Sequence, residues 1–221
     1  MGNLTVSQAN NIWSPNGNSL AVFVDGVSGI LKLKDALGNV QPFEDYVTVM
    51  YGTGGIYSQT ANSTPITATT SELTLIDGGV GTLNVPANGF SVGDSYIANL
   101  SGIMSAKNNN SLIIRIKSGN VVLAESQPLV MPAINNQVWN LQVNFTIRTI
   151  GGANIASIVT AGEMHVLKLA SGTQEGFGFS AINNTTFNTT ILNTLNITAQ
   201  WSSTDVQNSI YTNLFVLTKI Y

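Results

Sequence analysis

The sequence predicts an all-β protein, and three observations predict it. The stretch Trp139-Asn-Leu-Gln-Val-Asn-Phe-Thr-Ile-Arg148 alternates strictly, with Trp139, Leu141, Val143, Phe145 and Ile147 on one side and Asn140, Gln142, Asn144 and Thr146 on the other. That is the period-two pattern of a strand with one dry face. Charged residues are only 9% of the chain, against about 25% in an average globular protein, and Asn and Thr together supply roughly a fifth of it. Thr fits a pleated surface, Asn and Gly fit the turns, and no long segment carries the Ala/Glu/Lys/Leu pattern of an exposed helix.

The 221 residues suffice for one large or two unequal domains. Residues 1 to 51 read as a small β module, with apolar runs at Leu20 to Val24 and Gly29 to Leu33, a turn at Gly38-Asn39 and a third run from Tyr46 to Tyr51. Such a unit is too small for a comfortable core of its own. Gly52-Thr-Gly-Gly55 and the Ser/Thr-rich stretch that follows, with Pro65, read as a linker or extended arm over 52 to 71.

From Glu72 the rhythm is strand, short turn, strand. Strands are expected at 72 to 77, 81 to 85, 94 to 104, 111 to 117, 120 to 125, 137 to 149, 154 to 159, 163 to 169, 176 to 180, 185 to 191, 195 to 202 and 209 to 221. Asp77-Gly78-Gly79, Asn108-Asn109-Asn110, Ser118-Gly119-Asn120 and Ala170-Ser171-Gly172 supply turns between them. Short strands so spaced indicate a sandwich or barrel. The clearest hairpin joins Leu112 to Lys117 with Val121 to Ala124, and Leu112, Ile114 and Ile116 face inward. The final run is apolar on both faces, Phe215, Leu217 and Tyr221 on one and Leu214, Val216 and Ile220 on the other. A strand of that kind needs cover on both sides. Either a second copy of the protein covers one face, or the strand is central in a thick monomeric sandwich.

The chemistry-bearing residues are sparse. Cysteine is absent, so no disulfide forms, and His165 is the single histidine, sharing a strand face with Glu163. That donor set is too poor for zinc, and a sheet histidine paired with a neighbour accounts for it. The eleven acidic residues are dispersed and mostly adjoin Gly, Asn or Ser, where capping a turn suffices. No calcium loop, dinucleotide fingerprint or nucleophile elbow is present, and Gly52 to Gly55 lacks a following helix or lysine. Neither a catalytic residue nor a cofactor or metal site is indicated. Trp139 and Trp201 fall on the apolar register and read as core, whereas Trp13, in a polar segment, could anchor the N-terminal arm. Sequons at Asn3, Asn62, Asn109, Asn144, Asn183, Asn184, Asn188 and Asn196 follow from composition. A net charge of −3 with scattered bases argues against nucleic acid. No apolar run approaches the roughly 20 residues of a membrane span, and no signal peptide is expected.

The segments Asn183-Asn-Thr-Thr-Phe-Asn-Thr-Thr190, Asn193-Thr-Leu-Asn-Ile-Thr-Ala-Gln-Trp201, Asn208-Ser-Ile-Tyr211 and Trp139 to Arg148 resemble virion-associated proteins of large DNA viruses of amoebae, among them marseillevirus (Noumeavirus-like) proteins, and of tailed phages. The likeness runs from about Tyr57 to Tyr221. Gly29-Ile-Leu-Lys-Leu-Lys-Asp35 is similar to the short N-terminal β module that such proteins carry. The resemblance implies a jelly-roll sandwich of the tumour-necrosis-factor/C1q type, a threefold trimer, and a place on the virion as fibre head, spike or capsid decoration. It carries over no catalytic or metal residue.

The expectation is therefore a non-enzymatic, homotrimeric virion protein, with residues 1 to 51 as an attachment or stalk-like module and 72 to 221 as the jelly roll. The trimer interface is expected to draw on Phe215, Val216, Leu217, Ile220 and Tyr221. Other virion proteins are further expected partners. A head that binds a host receptor or carbohydrate is the alternative, through exposed Asn, Thr and Tyr. A glycan hydrolase is a third reading, and it requires two carboxylates about 5 to 10 Å apart.

Overall fold

The computed structural model describes residues 8–9, 21–26, 29–42, 54–168 and 173–221, which fall into two compact units, Met1–Gly54 and Gly55–Tyr221. The described part of the first unit is a small sheet of four strands, β1 (Gln8–Ala9), β2 (Ala21–Asp25), β3 (Leu31–Lys34) and β4 (Val40–Pro42), in that order. β1 runs parallel to β2, and the other pairs are antiparallel. Asp35 fixes the β3–β4 turn by accepting hydrogen bonds from the Leu37 and Asn39 amides and from the Asn39 side chain at 2.8–2.9 Å, the Asx geometry that Asp favours in turns. Phe23 and Leu33 are buried. The strand expected at Tyr46 to Tyr51, and Trp13, lie outside the described residues.

The second unit is a two-sheet β-sandwich. Its strands are β5 (Gly54–Gln59), β6 (Ile66–Thr67), β7 (Leu73–Thr74), β8 (Gly79–Gly81), β9 (Asn84–Val85), β10 (Ser95–Ala106), β11 (Ser111–Ser118), β12 (Val121–Glu125), β13 (Leu129–Val130), β14 (Ile134–Thr149), β15 (Ser157–Leu167), β16 (Gln174–Asn184), β17 (Asn193–Trp201) and β18 (Ser209–Lys219). The large sheet has the order β16-β15-β14-β10-β18-β5-β8, with β6 also on β18. The small sheet has the order β12-β11-β17-β7, with β13 on β11 and β9 on β17. The chain crosses between the sheets from β6 to β7, β7 to β8, β8 to β9, β9 to β10, β10 to β11, β13 to β14, β16 to β17 and β17 to β18. This is the interleaved order of a jelly roll, with the β15–β16 hairpin as an extension of the large sheet.

Alternating side chains from the two inner faces fill the space between the sheets. Leu112, Ile114 and Ile116 of β11 are fully buried, as the hairpin pattern requires, and Trp139, Leu141, Val143, Phe145 and Ile147 of β14 face them from the large sheet. Tyr96 and Phe145 stack with ring centroids 5.0 Å apart, and Phe90 meets Phe187 edge-on at 5.5 Å. Each such large side chain contributes about 1.5–3 kcal/mol when fully buried.

The structure departs from the sequence reading at the strand expected over 81 to 85, which is two short strands, β8 in the large sheet and β9 in the small one, and in four further places. First, the stretch expected as a linker over 52 to 71 is largely sandwich. β5 and β6 pair with β18, Ile66 is 1% exposed, and Ser63 exchanges backbone and side-chain hydrogen bonds with Thr212. The Ser/Thr composition conceals this because hydroxyls here serve buried backbone groups. Second, the strands expected at 154 to 159 and 163 to 169 are one strand, β15. Gly162 does not break it; a Cβ there would come within 2.4 Å of the Phe179 ring, so the missing side chain makes room for that ring.

Third, residues 185 to 191 are not a strand. Asn184 accepts hydrogen bonds from the Thr186 amide and hydroxyl, and Asn188 from those of Thr190, at 2.6–3.0 Å. These two Asn-x-Thr turns override the β propensity of Thr, while Phe187 plugs the core at 1% exposure. Fourth, the last strand is not a plain alternation. Between Ser101↔Leu214 and Gly102↔Thr212 the β10–β18 register shifts by one residue, a bulge that switches parity. Ile210 and Thr212 point inward before it, Phe215 and Leu217 after it.

Candidate functional face

The outer face of the large sheet is built by register. Across β15, β14, β10 and β18, His165 lies opposite Asn140, Asn140 opposite Ser101 and Ser101 opposite Leu214. The next row is Glu163, Gln142, Asn99 and Val216, and the third is Ala161, Asn144, Ile97 and Thr218. Within these rows His165 and Glu163 are the titratable groups, and they meet each other, Nε2 to Oε1, at 3.1 Å. Among the described residues, the side chains of Asn99, Asn140, Gln142 and Asn144 have no intramolecular hydrogen-bond partner. Leu214 is half exposed and Val216 partly so. A depression of about 250 Å³ lies over Asn99, Ser101, Asn140, Gln142, Glu163, His165 and Leu214.

The small sheet presents the opposite chemistry. Arg115 of β11 contacts Glu125 through Nε and Glu72 through Nη1, the latter at 3.3 Å, and also donates to Gln200 at 2.7 Å. Lys117 donates to Glu72 at 2.8 Å, as does the Thr198 hydroxyl. Burial alone would raise the Glu72 carboxyl, but hydrogen bonds from Lys117 and Thr198, with the charges of Lys117 and Arg115, hold it below its ordinary value. The Glu72, Arg115, Lys117 and Glu125 network thus places four charges on the small sheet, whereas the three rows of the large sheet carry the His165–Glu163 contact among neutral amides and aliphatics.

The residues singled out from sequence sort as follows. Trp139 and Trp201 are core side chains, 0% and 1% exposed, whose indoles donate to the carbonyls of Tyr211 and Ile66 at 3.2 Å each. Phe215 and Leu217 do not belong to an intermolecular surface: both are buried in the protein's own core, with Phe215 packed on Tyr57 at 5.4 Å. Val216 does face outward, on the amide face beside Leu214. Ile220 and Tyr221 lie past β18, where their backbones bond Ser95; an added Cβ on Gly93 would meet the Tyr221 ring at 3.0 Å. They therefore sit at the end of the sheet and not in the middle of its face. The sequence reading places Leu214 on the face of Val216 without assigning it to the interface, and it does not single out Asn99 and Ser101, whose place beside Asn140 and Gln142 depends on strand register.

Two carboxylates do converge, Glu72 and Glu125, both on Arg115. Both are ion-paired, and Glu72 is held low, the reverse of what a general acid requires. Among the described residues no group of three or more His, Cys, Asp and Glu is placed to hold a metal ion.

No family model matches the chain, and no curated protein matches it. Among solved structures the chain is similar to arcelin-5, a lectin-like defence protein from Phaseolus vulgaris, at 10% identity and a TM-score of 0.33, over 94% of this chain and 95% of that one. At that level the strand order given above, not the likeness, defines the fold.

Proposed function

We propose that this protein is a non-enzymatic assembly head that forms a homotrimer through the outer face of the large sheet. In this reading it belongs to the surface of a virus particle, as fibre head, spike or capsid decoration. The supporting observation is the partition of charge. Over β14, β10 and β18 the central outward positions Asn140, Gln142, Asn144, Ile97, Asn99, Ser101, Leu214 and Val216 carry no charge, while Glu72, Arg115, Lys117 and Glu125 gather on the small sheet. These central positions shed water at low cost, whereas desolvating ion pairs is expensive, and the His165–Glu163 contact on β15 borders the neutral patch. The resemblance of the Asn/Thr-rich segments to virion proteins supports the location.

Absolute mass in solution tests the reading. Light scattering on a size-exclusion column should give about three times 23.3 kDa; a monomer at high concentration would exclude the trimer.

One observation favours a second reading, a receptor or carbohydrate-binding head. The free amides around the His165 depression offer donors and acceptors to a neutral polyhydroxylated ligand, fixed on a rigid sheet. A glycan array read with the protein at high concentration separates the two. Binding lost on Asn140→Ala would support this second reading, and an array without hits would remove it.

A further inference from the structure

A second cavity, open to solvent on one side, lies between the two sheets at the end where β8 and β9 cross from one to the other. The large sheet contributes Ile56, Tyr96, Phe145, Ile158 and Leu217 to its wall, and the small sheet Leu123 and Leu195. The segment from Thr82 to Val85 forms part of the lining, together with Phe90 and Phe187. This segment is tied to both sheets: the Thr82 amide donates to the Ile56 carbonyl, and the Leu195 amide to the Leu83 carbonyl, both at 2.9 Å. It therefore straps the two sheets together beside the cavity.

The polar residues of the lining are already engaged. Ser118 donates to Asn193 at 2.7 Å, and the Asn193 amide donates to the carbonyls of Asn188 and Ile191 at 2.9 Å. Asn84 accepts from Thr194 at 2.6 Å, and Lys117 is held by Glu72. With these groups satisfied internally and the rest of the wall aliphatic or aromatic, the cavity makes no polar demand on a guest. A charged or strongly hydrated molecule would lose its hydration there without replacement. The free volume is about 50 Å³, several times the ~10–15 Å³ a single water occupies and below the roughly 150 Å³ that admits benzene. Walls of this kind favour an apolar guest over a hydrated one.

We infer that this cavity is a binding site for a small uncharged aliphatic group, of the size of a xenon atom or the methyl end of a short alkyl chain. The guest lies between Leu123 and Leu195 on one side and Ile158 and Leu217 on the other, beside the strap. This site is separate from the outer sheet face and independent of whether that face assembles.

Titration of the full chain with xenon and, separately, with 1-butanol, read by methyl carbon–proton correlation spectra, tests the inference. Saturable shifts confined to the methyls of Ile56, Leu123, Ile158, Leu195 and Leu217 are expected. Filling the cavity by Leu195→Phe, and independently by Leu123→Phe, should weaken binding at least tenfold in whichever variant gives a folded spectrum. Shifts in the unaltered protein that grow linearly without saturation, or that spread over surface methyls, overturn the site. Undiminished saturable binding in a folded filling variant overturns its location.

Discussion

The indole Nε1 of Trp139 donates a hydrogen bond to the carbonyl oxygen of Tyr211 at 3.2 Å, although the two residues lie on strands separated by β10. Gly102 on the intervening strand permits the reach. A Cβ there would stand 1.9 Å from the Tyr211 oxygen and 2.8 Å from the indole nitrogen. The bond falls beside the β18 bulge, where ladder pairing is locally disrupted, so a core side chain supplies a donor where the backbone pattern is irregular. Gly102→Ala should therefore cost about 1–3 kcal/mol through overpacking, read as a lower urea midpoint with an unchanged m-value. A variant as stable as the parent would show that β18 can shift its bulge freely.

Neighbouring residues on β18 should give opposite phenotypes. Phe215→Ala removes a side chain at 0% exposure and should cost about 3–5 kcal/mol of stability without touching the outer face. Val216→Asp places a charge on that face and should leave the monomer folded while reducing the mass measured by light scattering to 23.3 kDa. Leu73→Asp, on a half-exposed site of the small sheet, serves as the control and should change neither mass nor fold.

Acid should weaken the small sheet. Glu72 titrates below its ordinary value of 4.5, so its contribution is fully present above pH 4.5 and is lost as pH falls through the depressed folded-state value. Glu72→Gln should be less stable than the parent at pH 7, and the gap should narrow as pH falls below 4.5, with urea midpoints at pH 7 and at about pH 3 as the measurement. A gap of constant size across that range would mean that packing, not ionisation, accounts for the role of Glu72.

Asn193 is 6% exposed, yet three hydrogen bonds meet on its side chain, from Ser118 and to the carbonyls of Asn188 and Ile191. Asn193→Ala strands those partners in a largely dry corner, and about 2–3 kcal/mol of stability should be lost. Thermal unfolding of N193A compared with Asn196→Ala, a partly buried site whose side chain accepts from Thr74, should rank N193A clearly lower.

Where residues alternate, the fold was legible in the sequence. The β14 pattern placed Trp139 to Ile147 in the core, and the β11–β12 hairpin paired as its turn residues indicated. Elsewhere tertiary effects decide. Gly162 is kept in a strand by a ring contributed from β16, and Ser63 belongs to the core because Thr212, 149 residues later, bonds it. The Asn-x-Thr repeats at 184 and 188 are ambiguous by composition, since Thr favours strands and Asn favours turns, and the local hydrogen bonds resolve them. The amides of the candidate face were visible as the polar half of one strand. Their assembly into rows was not, because it depends on the registers of β10, β15 and β18.

The position of β18 in the large sheet has a consequence for biosynthesis. It lies between β10 and β5 and also pairs with β6, so the oldest part of the sandwich waits for a strand made more than a hundred residues later. Until Lys219 has left the ribosome, β10 and β5 each present an unpaired edge, the kind of edge that recruits other chains. Closing such distant pairs is slow, so the nascent protein passes through an exposed interval in which Asn, Thr and Ser, in place of charge, keep it dispersed.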